Sequence, residues 1–184
     1  MRTIRIKNEK DLFFQAFWEI YKSAFPFCER RSLEEQIRIF TNETYFLDVW
    51  IKNETVLGFI GWWNCEELRF VEHYAIHQSC RSQGYGSLFL SEWINQNALP
   101  VLLEIEPAID ETSQKRQQFY RKLGFKDNTI KHYQPAYHEG EKFLKLWLMS
   151  YPHEISTSCY RKFYLKQKME IMPQNINNEI KLKS

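Results

Sequence analysis

Residues 77–90 read HQSCRSQGYGSLFL, and two of the chain's six glycines, Gly84 and Gly86, stand together there at the mouth of an apolar-periodic segment. A tight turn needs one glycine. Two of them behind Arg81 predict a backbone that comes close to something. The preceding run, ELRFVEHYAIH (67–77), is β-rich, and the following one spaces its apolar residues as a helix from about Gly84 to Asn97. The first turn of a helix leaves backbone N–H groups unpaired, and its dipole favours negative charge. Glycine removes the Cβ that would keep a phosphate away from those groups, and Arg81 adds a charge-assisted contact. The stretch therefore reads as a pyrophosphate cradle, with a ligand-free Gly-rich turn as the alternative. It is not a Walker loop, because Ser87-Leu88 follows the last glycine. It is not the dinucleotide fingerprint either, because Phe89 stands at the third glycine's place.

Outward from this turn the pattern alternates between two periods. TIRIK (3–7) is a strand. Residues 9–25 carry Leu12, Phe13, Ala16, Phe17, Ile20, Tyr21 and Ala24 at helical spacing, with Asn8 as N-cap and Pro26 as stop. Ser32 and Glu35 form a capping box for a short second helix over 31–40. TYFLDVWIKN (44–53) and ETVLGFIGWWN (54–64) are strands joined at Asn53-Glu54. PVLLEIE (100–106) is another strand, 111–123 is a helix ended by Gly124, a short strand begins at GFKDN, and KFLKLWLM (142–149) closes the sheet. Hairpins come first and βα units later. This predicts a mixed α/β fold, with a mostly antiparallel central sheet of about six to seven strands flanked by helices. Ile155, Cys159, Phe163 and Met169 are read as one helical face. Beyond Pro173 the chain turns polar and is expected to fray.

The 184 residues suffice for one domain with a real core, and aromatics reach 16%. Net charge is +2; residues 161–184 hold six Lys/Arg against two Asp/Glu, +4, which leaves −2 for residues 1–160. A body of that charge is not a duplex-binding surface, and the basic end is read as a solvated tail. Cys28, Cys65, Cys80 and Cys159 form no CxxC. The first residues lack a signal-peptide core, and no run reaches the roughly 18 apolar residues of a membrane span. The expectation is a cytoplasmic protein without a membrane or nucleic-acid partner.

The motif Arg81-x-x-Gly84-x-Gly86, between a strand ending HYAIH and a helix, resembles the acetyl-CoA-binding motif of the GNAT superfamily of N-acetyltransferases. RQQFYRKLGF (116–125) resembles that family's later helix. The likeness spans roughly residues 2–150, which gives an N-acetyltransferase domain over 1–150 and a C-terminal helical and polar extension over 151–184. It implies acetyl-CoA as co-substrate and no metal. Backbone amides of Gln83, Gly84, Tyr85, Gly86 and Ser87 would hold the pyrophosphate together with Arg81. Ala75 and Ile76 would pair with the pantetheine arm, and Tyr120 would protonate the leaving thiolate. Many members have Asn where this chain has Ser113, which puts a pantetheine contact there in doubt. The implied reaction is acetyl transfer to a primary amine of a small molecule or peptide, by direct attack in a ternary complex. The alternative is a non-catalytic acyl-CoA-binding or sensing module on the same fold.

Acyl transfer needs a neutral amine, so a base is sought. Glu72 precedes the cofactor-pairing residues, and strict alternation puts it on the face of Phe70, Tyr74 and Ile76, where its pKa would rise. Glu104 and Glu106 share a face on the next strand and are alternative partners for a cationic amine. A structural ion pair is the competing reading for each carboxylate. Arg30 and Arg31 are read as an acceptor-anion site or a solvated loop. His73 and His77 are four apart on a strand and are not read as a metal site. Of Trp62 and Trp63, one is expected in the core. The aromatic last strand FLKLWLM is read as core or as a surface for a second copy.

Overall fold

The computed structural model describes residues 1–138 and 140–173. The chain divides into two compact units, Met1–Val101 and Leu102 onward. The reading of the basic end beyond Pro173 lies outside the described residues.

The first unit opens with β1 (Arg2–Ile6), followed by α1 (Phe14–Ala24), a 3-10 turn at Phe27–Glu29 and α2 (Leu33–Ile39). Then come β2 (Tyr45–Lys52), β3 (Thr55–Asn64), β4 (Arg69–Ile76) and α3 (Tyr85–Asn95). The four strands pair in chain order, each antiparallel to the next. Asn53 and Glu54 join β2 to β3 with φ of 48° and 57°, the left-handed pair that matches the twist of a two-residue hairpin. The predicted capping box is present: Ser32 accepts from the Glu35 amide, and the Glu35 carboxylate accepts from the Ser32 amide. Helix α1 starts later than its periodicity suggested. Asp11 accepts from the Lys7 and Asn8 amides and Asn8 Oδ1 from the Lys10 amide, so these residues form a turn that leaves Leu12 exposed. The helix buries Phe17 and Tyr21 edge-on against Phe59 of β3, with centroids 4.8 and 5.7 Å apart. Apolar packing of this kind is the main stabilising term of the unit.

At the far end of α3, Arg69 donates to the carbonyls of Trp93, Ile94, Asn97 and Leu99, at 2.8–3.3 Å. One buried guanidinium thereby satisfies carbonyls that a helix end leaves open. Burial pushes its pKa down to about 10.

The second unit holds β5 (Val101–Ile105) from its second residue onward, α4 (Glu111–Lys122), β6 (Lys126–Asp127), β7 (His132–Gln134), β8 (Leu144–Tyr151) and α5 (Thr157–Lys166). Strands β6 and β7 both pair antiparallel with β8, and β5 neighbours β8. The fold is mixed α/β and mostly antiparallel, as expected, but with eight strands among the described residues. The additional one, β7, lies between the strand that begins at GFKDN and the last strand. Three residues are too few to show a period, and only pairing with β8 defines it. Helix α4 ends at Gly124, whose φ is 95°. After α5 a π turn over Gln167–Ile171 rotates the helical face. Gln167 and Ile171 are therefore buried, while Met169, expected inside, is exposed.

Candidate functional site

In the first unit the glycine turn has the geometry its sequence suggested. Gly84 sits at φ 80° as the N-cap of α3, and a Cβ built on it would meet nothing within 4 Å. That conformation strains any L side chain, and the space ahead of it is open. The amides of Gly84, Tyr85, Gly86 and Ser87 precede the first intrahelical bond, which runs from the Leu88 amide to the Gly84 carbonyl at 3.1 Å. Four donors thus point out of the positive end of an eleven-residue helix.

Neighbouring side chains brace this turn. Arg81 Nε donates to the Ile76 carbonyl at 3.1 Å, which pins the guanidinium to the end of β4. Gln83 donates from its amide to the Ser79 carbonyl, and Tyr74 Oη donates to the Gly86 carbonyl at 2.6 Å. Ala75 and Ile76 pair with Phe59 and Gly58 of β3. Lys52 was not anticipated: its ammonium donates to Tyr85 Oη at 3.0 Å and lies 5.5 Å from that ring's centroid. This hydrogen bond raises the Lys52 pKa. No local pattern links Lys52 to a turn 33 residues further on; the successive pairing of β2, β3 and β4 brings them together.

Glu72 is also in this unit, with neighbours different from those expected. The β3–β4 register slips where Gly61 pairs with His73 and Trp62 with Val71, so Glu72 is the extra residue of a bulge. Its side chain turns away from Tyr74 and toward Trp63 and Arg31. Both oxygens are gripped by Arg31, at 2.8 and 2.7 Å, and Trp63 Nε1 donates at 2.8 Å. The Glu72 side chain is fully buried and that of Arg31 is 5% exposed. Burial alone would raise this carboxyl's pKa. Arg31, then His73, and the hydrogen bonds from Arg31 and Trp63 outweigh it, so the carboxyl lies below the usual carboxylate range. The expectation of a raised pKa is corrected accordingly. Arg31 is likewise not a solvated anion-binder; its neighbour Arg30 donates to the Phe25 carbonyl and lies over the Trp18 ring. His73 Nε2 lies 3.0 Å from the Glu29 carbonyl. Trp63 is core, whereas Trp62 is half-buried, stacks on Phe46 and donates to Asp48.

In the second unit, Tyr120 projects from α4 and is 8% exposed. Burial, partly offset by Arg116, pushes its pKa up to about 12. Its hydroxyl has no hydrogen-bond partner among the described residues and is not among their buried unpartnered atoms. Ser113 is spent on the N-cap of α4: its amide donates to Asp110 Oδ1 at 2.8 Å, and its Oγ accepts from the Asp110 amide at 3.1 Å. Glu106 is half-exposed and paired with Arg116.

Glu104 is 5% exposed and all its neighbours are donors. His132 Nε2 contacts Oε1, Gln134 donates to Oε2 at 2.6 Å, and Gln167 donates to Oε1 at 2.7 Å. His132 and Gln134 alternate onto the buried face of β7. Gln167 arrives from the α5 side, one turn beyond Tyr160, Phe163 and Tyr164. The stripe at 160, 163, 164 and 167 was legible as a helix face, but the reading took 155, 159, 163 and 169 instead.

Residues 42–127 match the acetyltransferase (GNAT) domain model. The chain resembles a solved protein from Bacteroides thetaiotaomicron assigned to the GNAT acetyltransferases. The two are 26% identical with a TM-score of 0.86, over 94% of this chain and 98% of that one. Its fold is also that of the ribosomal-protein-S18-alanine N-acetyltransferase from Escherichia coli, at 17% identity, 84% and 95% coverage and a TM-score of 0.61. An acetyltransferase from Bacillus subtilis in complex with CoA has the same fold, at 12% identity, 81% and 96% coverage and a TM-score of 0.56. No curated protein sequence matches the chain. Fold and domain match together define the class: residues 42–127 match a GNAT acetyltransferase domain, and the chain has the fold of a protein assigned to that family. No helix among the described residues is long and apolar enough to cross a membrane.

Proposed function

We propose that the protein transfers the acetyl group of acetyl-CoA to a primary amine of a small molecule or a peptide, by direct attack in a ternary complex. Residues 1–150 are taken as the transferase domain and 151–184 as an extension. The observation that carries the donor half is the left-handed Gly84 opening α3, with four outward amides and open space where a Cβ would sit. Such a helix terminus suits a pyrophosphate. In this reading the amides of residues 83–87 hold it, Arg81 adds charge, and the edge at Ala75 and Ile76 takes the pantetheine arm.

The chemistry falls to side chains that keep or release a proton. Tyr120 has an unpartnered hydroxyl and a raised pKa, and both suit a donor to the departing sulfur. Glu72 is reassigned. With both oxygens held by Arg31, it fixes the loop after α1 against β4, so its role is positioning. The four cysteines form no disulfide, which fits the reducing conditions of a cytoplasm.

The test is thiol release from acetyl-CoA with a panel of primary amines, alongside a melting scan with CoA. Amine-dependent thiol release is expected, together with a CoA-induced rise in Tm. A rise in Tm without release on any amine would support the acyl-CoA sensor instead.

A further inference from the structure

The second unit contains a cavity of about 400 Å³ beside Trp147, and the register of β8 explains why it exists. Strand β6 pairs with β8 as far as Asp127 opposite Met149, and β7 resumes with His132 opposite Leu146. Asn128 still holds on to β8. Its backbone and side-chain amides both donate to the Leu148 carbonyl, and the side-chain amide also reaches Ser150 Oγ at 2.8 Å. Residues 129–131 are then left opposite Trp147 alone. Three residues against one cannot stay in the ladder, so the chain bows away and leaves a recess. Directly opposed residues share a face, and alternation puts Asp127, Met149, Trp147 and Lys145 on one side of the sheet. Helix α4 reaches that side, since Gln117 and Arg121 donate to Asp127 at 2.7 and 2.8 Å. Met149 is fully buried there, whereas Trp147, farther along, is 39% exposed.

The recess carries positive charge that its own lining does not answer. Asp127 is the one carboxylate among the described residues that line it, and both of its oxygens are taken, one by Gln117 and the other by Arg121. Asp127 and Arg121 cancel each other, which leaves Lys131 and Lys145 as two uncompensated cations. Both are exposed, and neither makes an ion pair or a hydrogen bond among the described residues. Trp147 likewise makes no ring contact there, and its indole N–H has no acceptor. A flat apolar ring beside two unpaired cations and an N–H donor is complementary to a ligand that joins a flat ring to a doubly charged anion. We propose that this recess binds a phosphate monoester of a flat-ring compound, the ring against Trp147 and the phosphate between Lys131 and Lys145. A phosphate monoester carries about −1.5 to −2 charge near neutral pH, which matches the two lysines. The lining lies wholly within the second unit, and the proposal does not depend on the acetyl-transfer reading.

The experiment titrates the full-length protein with phenyl phosphate by calorimetry, with CoA present in excess so that the glycine turn does not compete for the probe. Benzoate, inorganic phosphate and phenol are run beside it; they lack the second charge, the ring and the anion respectively. Phenyl phosphate is expected to bind with a Kd of about 1 mM or below, and each of the other three about ten-fold more weakly or worse. Lys131→Ala and Lys145→Ala should each weaken phenyl phosphate about ten-fold, and Trp147→Ala by a similar factor. The lysine variants should keep the wild-type Tm, because those side chains are exposed and unpaired. A wild type that does not bind phenyl phosphate overturns the proposal. Binding that survives all three substitutions overturns it as well, since the probe then sits elsewhere. Benzoate or inorganic phosphate bound as tightly as phenyl phosphate would show that the second charge or the ring is not recognised, and either result refutes the phosphate monoester.

Discussion

Replacing Glu72 with Gln separates a structural carboxylate from a catalytic one. The substitution keeps the shape and one acceptor oxygen, so it opens no cavity. It removes the charge facing an Arg31 side chain that is 5% exposed. Removing one partner of a buried pair costs about 3–5 kcal/mol, because the other charge is left uncompensated. For a chain of this size each kcal/mol shifts Tm by about 2–4 °C, so a drop of roughly 6–20 °C is expected. Urea and thermal melts measure it. The double variant Arg31→Met with Glu72→Leu should recover much of the loss, since apolar replacement of both partners removes the orphaned charge. The pH dependence has a definite sign. The folded-state carboxyl lies below its ordinary value of 4.5. The pair's contribution is therefore complete above that value and fades as pH falls through the lower, folded one. Wild type and Glu72→Gln should converge in stability only in acid. A Glu72→Gln protein within about 1 kcal/mol of wild type, but with the acidic limb of its pH–rate profile lost, would refute this reasoning and restore Glu72 as the base.

Tyr120→Phe should lower kcat about ten-fold or more while leaving CoA affinity unchanged, as measured by thiol release and calorimetry. Gly84→Ala should cost about 1–2 kcal/mol for the left-handed backbone and weaken CoA binding; wild-type affinity would remove the turn from the donor site. Arg69→Met should destabilise the fold by several kcal/mol, because it strips buried carbonyls of Trp93 and Ile94 of their donor. A melt within experimental error of wild type would show that those carbonyls find other partners.

What could be read in the sequence was local. The Ser32 capping box, the Asn53-Glu54 hairpin, Gly124 and the Gly84 turn each depend on residues within a few positions of one another, and each has the expected geometry. The features that escaped depend on pairing between distant strands. One extra residue in β4 turned Glu72 to another face, and alternation cannot show a bulge before the register is known. Gln167 and Glu104 are 63 residues apart, and His132 and Glu104 are 28. Nothing in a window around any of them announces the others. Strand β7 was missed for the same reason, since its three residues are a strand only because β8 runs beside them.

The carboxylates Glu72 and Glu104 look alike in sequence, each on a largely buried strand, but their partners give them different chemistry. Glu72 faces a guanidinium and an indole N–H, with His73 at 3.9 Å. A guanidinium keeps its protons at any pH the fold survives, so the grip of Arg31 fixes position and passes nothing on. Glu104 faces an imidazole whose far nitrogen meets a phenol. Each of those groups can give up one proton while receiving another. Of the two buried clusters, the one around Glu104 links a carboxylate through an imidazole to a phenol. A sequence search for a base looks for carboxylates. The partner sets what each carboxylate can do: Glu72 is held by Arg31 and Glu104 by His132.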